Sequence, residues 1–296
     1  MAAARGEFHP DFSTDGDVVL ESSDGIRFRL DSAVLKAAST VFRDMFAFPR
    51  DPNEAADAPI VLTEDAIVLA FIFHCVFPTA SQPDLQTYDD VWTVLKTAEK
   101  YDMPCVVKIL RLTILSEEKF RSKSLNLFAL ASYCDWHDVA RSSSNDSLKE
   151  DISRSENLSI LKMAKTADAF ALLDLHWKRK EIMKDIVRGG ENFAYEQVDG
   201  FGTYAYVCKH CQNYMPCAEG FKDSTTAVEV FRSRVREYID RCPLAPELVD
   251  SNYWRSTVGG ITNLTCTCDS EFFDNEGVAH RISLETRNGN LPSAVM

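Results

Sequence analysis

Hydrophobic and polar residues change their period several times along this chain, and each change marks an element. Asp17-Val18-Val19-Leu20 is followed by Ser22-Ser23-Asp24-Gly25 and then by Ile26-Arg27-Phe28-Arg29-Leu30, where apolar residues alternate. Alternation puts Ile26, Phe28 and Leu30 on one sheet face, so two short strands joined by a Gly-containing turn are expected. The spacing then becomes helical. Asp31 or Ser32 can cap a helix through Val34, Leu35 and Ala38. Ser39 or Thr40 can cap another, in which Val41 and Met45, and Phe42 and Phe46, lie four positions apart on shared faces. Pro49 ends that helix, and residues 50–58 are polar and without period, which reads as a surface loop.

Pro59 to Leu62 predicts a short strand, and Thr63 an N-cap with Glu64 and Asp65 in the first turn of a helix running to Phe77. The apolar run Ala66 to Phe77 is shorter than the ~20 residues of a membrane span. It reads as a buried helix, with His74 a satisfied core residue. Beyond a loop bracketed by Pro78 and Pro83, Val91, Val94, Leu95, Ala98 and Tyr101 recur at helical spacing, and Pro104 opens a helix with Val106, Val107, Leu110 and Ile114 inward. The first region is therefore α+β: a small sheet wrapped by about five helices.

From Phe120 the strand signals vanish. Leu125, Phe128, Ala129, Ser132 and Tyr133 predict one helix, Arg141 to Asp146 a Ser-rich break, and Leu158, Leu161 and Ala164 another helix. A long helix through Leu172, Leu175, Ile182 and Ile186 stops at Gly189-Gly190. Residues 191–285 are rich in Cys and aromatics, with one clear helix near Ala227 to Cys242. The divisions expected are a flexible N-terminus (1–9), a first domain (10–118), a mainly α-helical extension (119–190), a Cys-containing C-terminal module (191–285) and a flexible tail (286–296).

Charge narrows the partners. The net charge is -13, and residues 1–118 hold 20 acidic against 10 basic groups, which repels a phosphate backbone. Protein rather than nucleic acid is the expected partner, and Lys178-Arg179-Lys180 with Lys184 reads as a solvated helix face. An odd count of nine cysteines without a regular framework, and an N-terminus lacking a signal-peptide core, indicate a reducing compartment, cytoplasm or nucleus.

Asp17 to Phe46 resembles the opening of a BTB/POZ domain: an Asp-Val-x-Leu strand, a Gly turn, a Phe-x-apolar strand, and a Leu-x-x-x-Ser-x-x-Phe-x-x-Met-Phe helical pair. The chain keeps Asp17, Gly25, Phe28, Leu35, Ser39, Phe42, Met45 and Phe46. Pro59 to Glu64 and Leu95 to Met103 are similar to later parts of that domain. Phe46-x-x-Pro49 and the extension resemble BTB proteins of mushroom-forming (basidiomycete) fungi. The resemblance implies protein recognition: self-association, or docking on a cullin scaffold as a ubiquitin-ligase substrate adaptor. It points to Asp31, Leu35, Phe42, Met45 and Phe46 as the interaction residues. Asp31 stands where the family commonly has His, near the dimer interface of many members, which speaks against assuming the usual homodimer.

Cys208-Lys209-His210-Cys211, followed by Cys217 and later by Cys242, Cys266 and Cys268, is the grouping with metal character. A Cys-x-x-Cys turn presents two thiolates to a tetrahedral zinc, and a second pair must close the site. Four thiolates leave no open position, so such a zinc is structural. Ordinary reduced cysteines are the alternative reading. Gly200-Phe-Gly202-Thr-Tyr-Ala205 lacks the strand and helix of a dinucleotide site and reads as a loop or hairpin turn. The function expected is a non-enzymatic adaptor that binds itself or a scaffold, with a client on the C-terminal region. The alternatives are a transcription-associated regulator with a zinc-bound C-terminal module, and a hydrolase using Cys208 or Cys211 with His210.

Overall fold

A computed structural model describes residues 6–48, 58–77, 84–188, 195–200, 203–208, 224–246 and 282–285. The chain divides into two compact units, Met1–Lys123 and Ser124–Met296.

The first unit is built on a three-stranded sheet in the order β2-β1-β3. Strands β1 (Val18–Glu21) and β2 (Arg27–Leu30) form the expected antiparallel hairpin, with Leu20 opposite Phe28 and Glu21 opposite Arg27. Gly25 closes the turn at φ +89°, a conformation that a β-carbon penalises. Ser22 holds the turn from both sides: its Oγ accepts from Ile26 N at 2.9 Å and donates to Ile26 O at 3.1 Å. β3 (Ile60–Val61) adds in parallel to β1 through Leu20 and Ile60.

Residues 1–9 read as a flexible N-terminus, yet residues 6–9 are tied along the outer edge of β2. Gly6 N bonds Gly25 O at 2.7 Å, Arg27 N bonds Glu7 O at 2.9 Å, and His9 N bonds Arg27 O at 2.8 Å. The bonds are main-chain, so no side-chain pattern announces them. A 3-10 turn (Pro10–Phe12) then turns Phe12 into the core.

Helices α1 (Ser32–Ala38) and α2 (Thr40–Met45) follow, then α3 (Ala66–Val76), α4 (Tyr88–Lys100), α5 (Pro104–Ser116) and the short α6 (Glu118–Arg121). Five successive residues of α3, Leu69 to Phe73, are buried, as an all-round apolar helix requires. Its start differs from the sequence expectation. Thr63 does not cap it; the helix begins at Ala66, whose N–H donates 3.0 Å to Asp24 Oδ1 in the hairpin turn. A residue 42 positions away thus supplies the cap. Pro104 opens α5, and Val106, Leu110 and Ile114 are its buried face. α6 brings Phe120 beneath Tyr88: the rings meet edge-on at 5.3 Å, and Tyr88 OH donates to Phe120 O at 3.0 Å.

The second unit is helical over residues 124–188. α7 (Ser124–Tyr133) is buried along most of its length, including Leu125 and Phe128. The Ser-rich break expected at Arg141 to Asp146 is instead part of helix α8 (His137–Asp146). The serine hydroxyls that compete with a helix in open chain here bond back along it, Ser143 to Val139 O at 2.7 Å and Ser144 to Arg141 O at 2.8 Å. α9 (Ser155–Leu161) and α10 (Thr166–Arg188) complete the bundle, where Leu172 and Leu175 join Leu125, Phe128, Leu148, Ile152 and Leu161 in one core. The hairpin β4 (Tyr195–Gly200) and β5 (Thr203–Cys208), and helix α11 (Ser224–Arg241), follow. Gly200 lies opposite Thr203, a hairpin end rather than a dinucleotide loop. α11 packs on α10 and β5.

Candidate functional site: a helical pair and two grooves

The pair α1–α2 is positioned by three side-chain caps. Asp31 caps α1, accepting from Ala33 N at 2.7 Å. Asp17 holds the same helix start, accepting from Ser32 N and Ser32 Oγ, each at 2.7 Å. Those two bonds favour the charged form and hold the Asp17 carboxyl below the usual range. Ser39 caps α2 by accepting from Phe42 N at 3.0 Å, and it donates to the carbonyl of Tyr101. Phe42 lies flat on Tyr101, with centroids 4.9 Å apart, and against Phe46 at 5.9 Å. The Leu95 to Met103 stretch is therefore the floor on which the helical pair stands.

This geometry separates the five expected interaction residues. Leu35 and Phe42 are fully buried in the core of the first unit and present no surface to a partner. Asp31 is exposed, and Met45 and Phe46 are half-buried. Lys36 Nζ lies 5.9 Å from the centre of the Phe46 ring. Phe48, just past the helix, is 74% exposed. It falls out of phase with the Phe42–Phe46 face, so helical periodicity alone does not pick it out.

A polar groove of about 320 Å³ lies between the start of α3 and α4, lined by residues that include Thr63, Glu64, Lys96 and Lys100. Glu64 is its centre, accepting from Lys100 Nζ at 2.6 Å and Tyr101 OH at 2.7 Å. Burial pushes the Glu64 carboxyl up, but these bonds and that from Thr63 outweigh it and hold it below its ordinary value.

In the second unit, Phe170, Leu173 and Trp177 form a stripe on the outer face of α10, beside a groove of about 590 Å³. Phe170 is 67% and Trp177 72% exposed. Its spacings of three and four carry the same helical signal as the inner stripe of Leu172 and Leu175, so periodicity alone does not tell the exposed stripe from the buried one. The basic run beside it is not a free patch. Lys178 pairs with Asp174 at 2.6 Å, Arg179 is buried with its Nε donating to Pro243 O at 3.3 Å, and Lys184 pairs with Asp240 at 2.8 Å. Ser147 Oγ lies 3.0 Å from His176 Nε2, but both side chains are buried, so the contact is packing and not a nucleophile facing solvent.

Of the cysteines with metal character, Cys208 ends β5. Cys211, Cys217, Cys266 and Cys268 lie outside the described residues. Among the described residues, no helix is long and apolar enough to cross a membrane.

The first unit is thus a small mixed sheet with helices packed on it, one pair of them held by side-chain caps. Residues 11–117 match the family model of the BTB/POZ domain, and this segment of the chain is a BTB/POZ domain. The family is one of protein–protein interaction. No curated protein matches the chain.

Proposed function

We propose that this protein is a non-enzymatic adaptor. Its BTB/POZ domain binds a second copy of the chain or a scaffold, cullins among them, through the surface of α1–α2, and its C-terminal region holds a client. The observation that carries the reading is the BTB/POZ match over residues 11–117 together with the exposure of Asp31 and Phe48 and the partial exposure of Met45 and Phe46 on the helical pair. The client half is supported by the exposed Phe170–Leu173–Trp177 stripe, since aromatic residues in a surface groove are the usual anchors of protein contacts. A structural zinc on Cys208, Cys211, Cys217, Cys266 and Cys268 belongs to the same proposal. It is supported by the Cys-x-x-Cys spacing of Cys208 and Cys211, the first of which is the last residue of β5.

The test is light scattering of the full chain across concentration, with affinity capture and mass spectrometry, for the wild type, Phe48→Asp and Phe170→Ser/Trp177→Ser. These side chains are exposed, so melting temperatures should stay unchanged. Phe48→Asp should abolish self-association or scaffold recovery, and the double variant should remove only the client. A monomer whose captured proteins are the same for all three sinks the proposal.

A further inference from the structure

We propose that His9, Asp11 and His74 form a binding site for one divalent transition-metal ion of the zinc class, which fastens the N-terminal segment to α3. The inference is independent of the adaptor reading. His9 and Asp11 flank Pro10 in the segment that runs along β2, and His74 comes from α3. One ligand atom from each, two imidazole nitrogens and a carboxylate oxygen, lie within 4.8 Å of one another. Asp11 Oδ2 is 3.3 Å from His74 Nε2. Bonds of ~2.0–2.1 Å in a tetrahedral site set ligand atoms about 3.3 Å apart. That pair already has the required separation, and the widest pair must close by at most about 1.5 Å. His9 is the side chain able to move. It is half-buried, and its Nδ1 accepts only a long 3.3 Å bond from Asp11 N.

The chemistry around the three groups suits an ion. Phe12, Phe28 and Phe73 wall the inner side, with the Phe12 ring 4.8 Å from His74 and the Phe28 ring stacked 5.2 Å from His9. The His74 side chain is 2% exposed while that of Asp11 is 39% exposed, so the carboxylate gives the ion a way in from solvent. An imidazole–imidazole–carboxylate set is the donor combination that zinc and its neighbours take. Its three ligands leave a fourth position for water. Because residues 6–9 already bond along β2, an ion at this point joins the sheet edge to the buried helix.

The experiment is a cobalt(II) titration of the chelator-stripped full chain, followed by visible absorption. Cobalt at this site should give ligand-field bands without thiolate-to-cobalt charge transfer, whereas cobalt on the C-terminal thiols carries that transfer, so the two are read separately. His9→Gln and Asp11→Asn should each remove the nitrogen- and oxygen-ligated component and leave any thiolate component intact. Both side chains reach solvent, so their thermal melts check that the fold is kept. His74→Gln is the third variant, placed last because the side chain is buried. Bound metal should also slow amide exchange in residues 6–12 in the wild type alone. Absence of the nitrogen- and oxygen-ligated component, or its survival in both His9→Gln and Asp11→Asn, overturns the site.

Discussion

Burial sets what individual side chains can do here, and His176 is the clearest case. It is buried in the helical unit, its Nε2 meets Ser147 Oγ, and its Nδ1 finds no hydrogen-bonding partner among the described residues. Burial, with the neighbouring Lys180 assisting and Asp151 opposing, pushes its pKa down from 6.5 to about 4. The unfolded chain therefore takes up a proton near pH 6.5 that the folded chain refuses until about pH 4. Stability contributed by the neutral ring is complete above pH 6.5 and declines as pH falls through this window, by about 3 kcal/mol at most. Urea unfolding of the wild type at pH 7.5 and 4.5, beside His176→Gln, measures it. The variant should lose part of the pH dependence, and equal slopes in both proteins would count against the account.

At the scale of elements, helix starts are held by carboxylates and hydroxyls from near and far. Asp31 is a cap before it is anything else. Asp31→His, which introduces the residue common in the family, replaces the carboxylate cap by a weaker imidazole acceptor and should cost up to about 1 kcal/mol. Because Asp31 lies on the surface proposed for association, the same variant should also shift the self-association constant. Chemical denaturation and sedimentation read the two effects separately, and a variant as stable as the wild type would show that the cap contributes nothing. These contacts also mark the limit of what the sequence discloses. The hairpin, the buried α3 and the Pro104 start were legible because each is a local pattern of period or punctuation. Asp24 capping α3 was not legible, because the donor and acceptor are brought together only by the fold. Nor was α8, where serines read as a break are satisfied within the helix. His9, Asp11 and His74 are similarly scattered in sequence and meet only in space. Of the interaction residues, Leu35 and Phe42 stood out because the domain needs them as core. Surface residues such as Phe48 have no such periodic signal.

For the whole molecule, the two units define what should be separable. The first unit extends to Lys123, so an expected boundary at 118 falls at the start of α6. Phe120 is fully buried under Tyr88, and its loss should cost a fragment ending at 118 about 3–5 kcal/mol relative to one ending at 123. Urea midpoints of the two fragments compare them directly. Equal midpoints would place Phe120 outside the core. Charge divides in the same direction: the acidic excess of the N-terminal part suits protein partners with basic faces, and association through it should slow with added salt.

The sheet order also dictates a sequence of events in time. β1 and β2 meet through a five-residue connection, whereas β3 reaches β1 only when Ile60 is brought beside Leu20. Closing a loop of about forty residues costs on the order of 3 kcal/mol in chain entropy before any bond between those strands repays it. The hairpin should accordingly form early and β3 should join with α3 near the end, a lag that pulsed hydrogen exchange during refolding would see as protection at Phe28 ahead of Leu62. A nascent chain released before residue 62 would hold a hairpin whose inner edge is still open to any strand that arrives first.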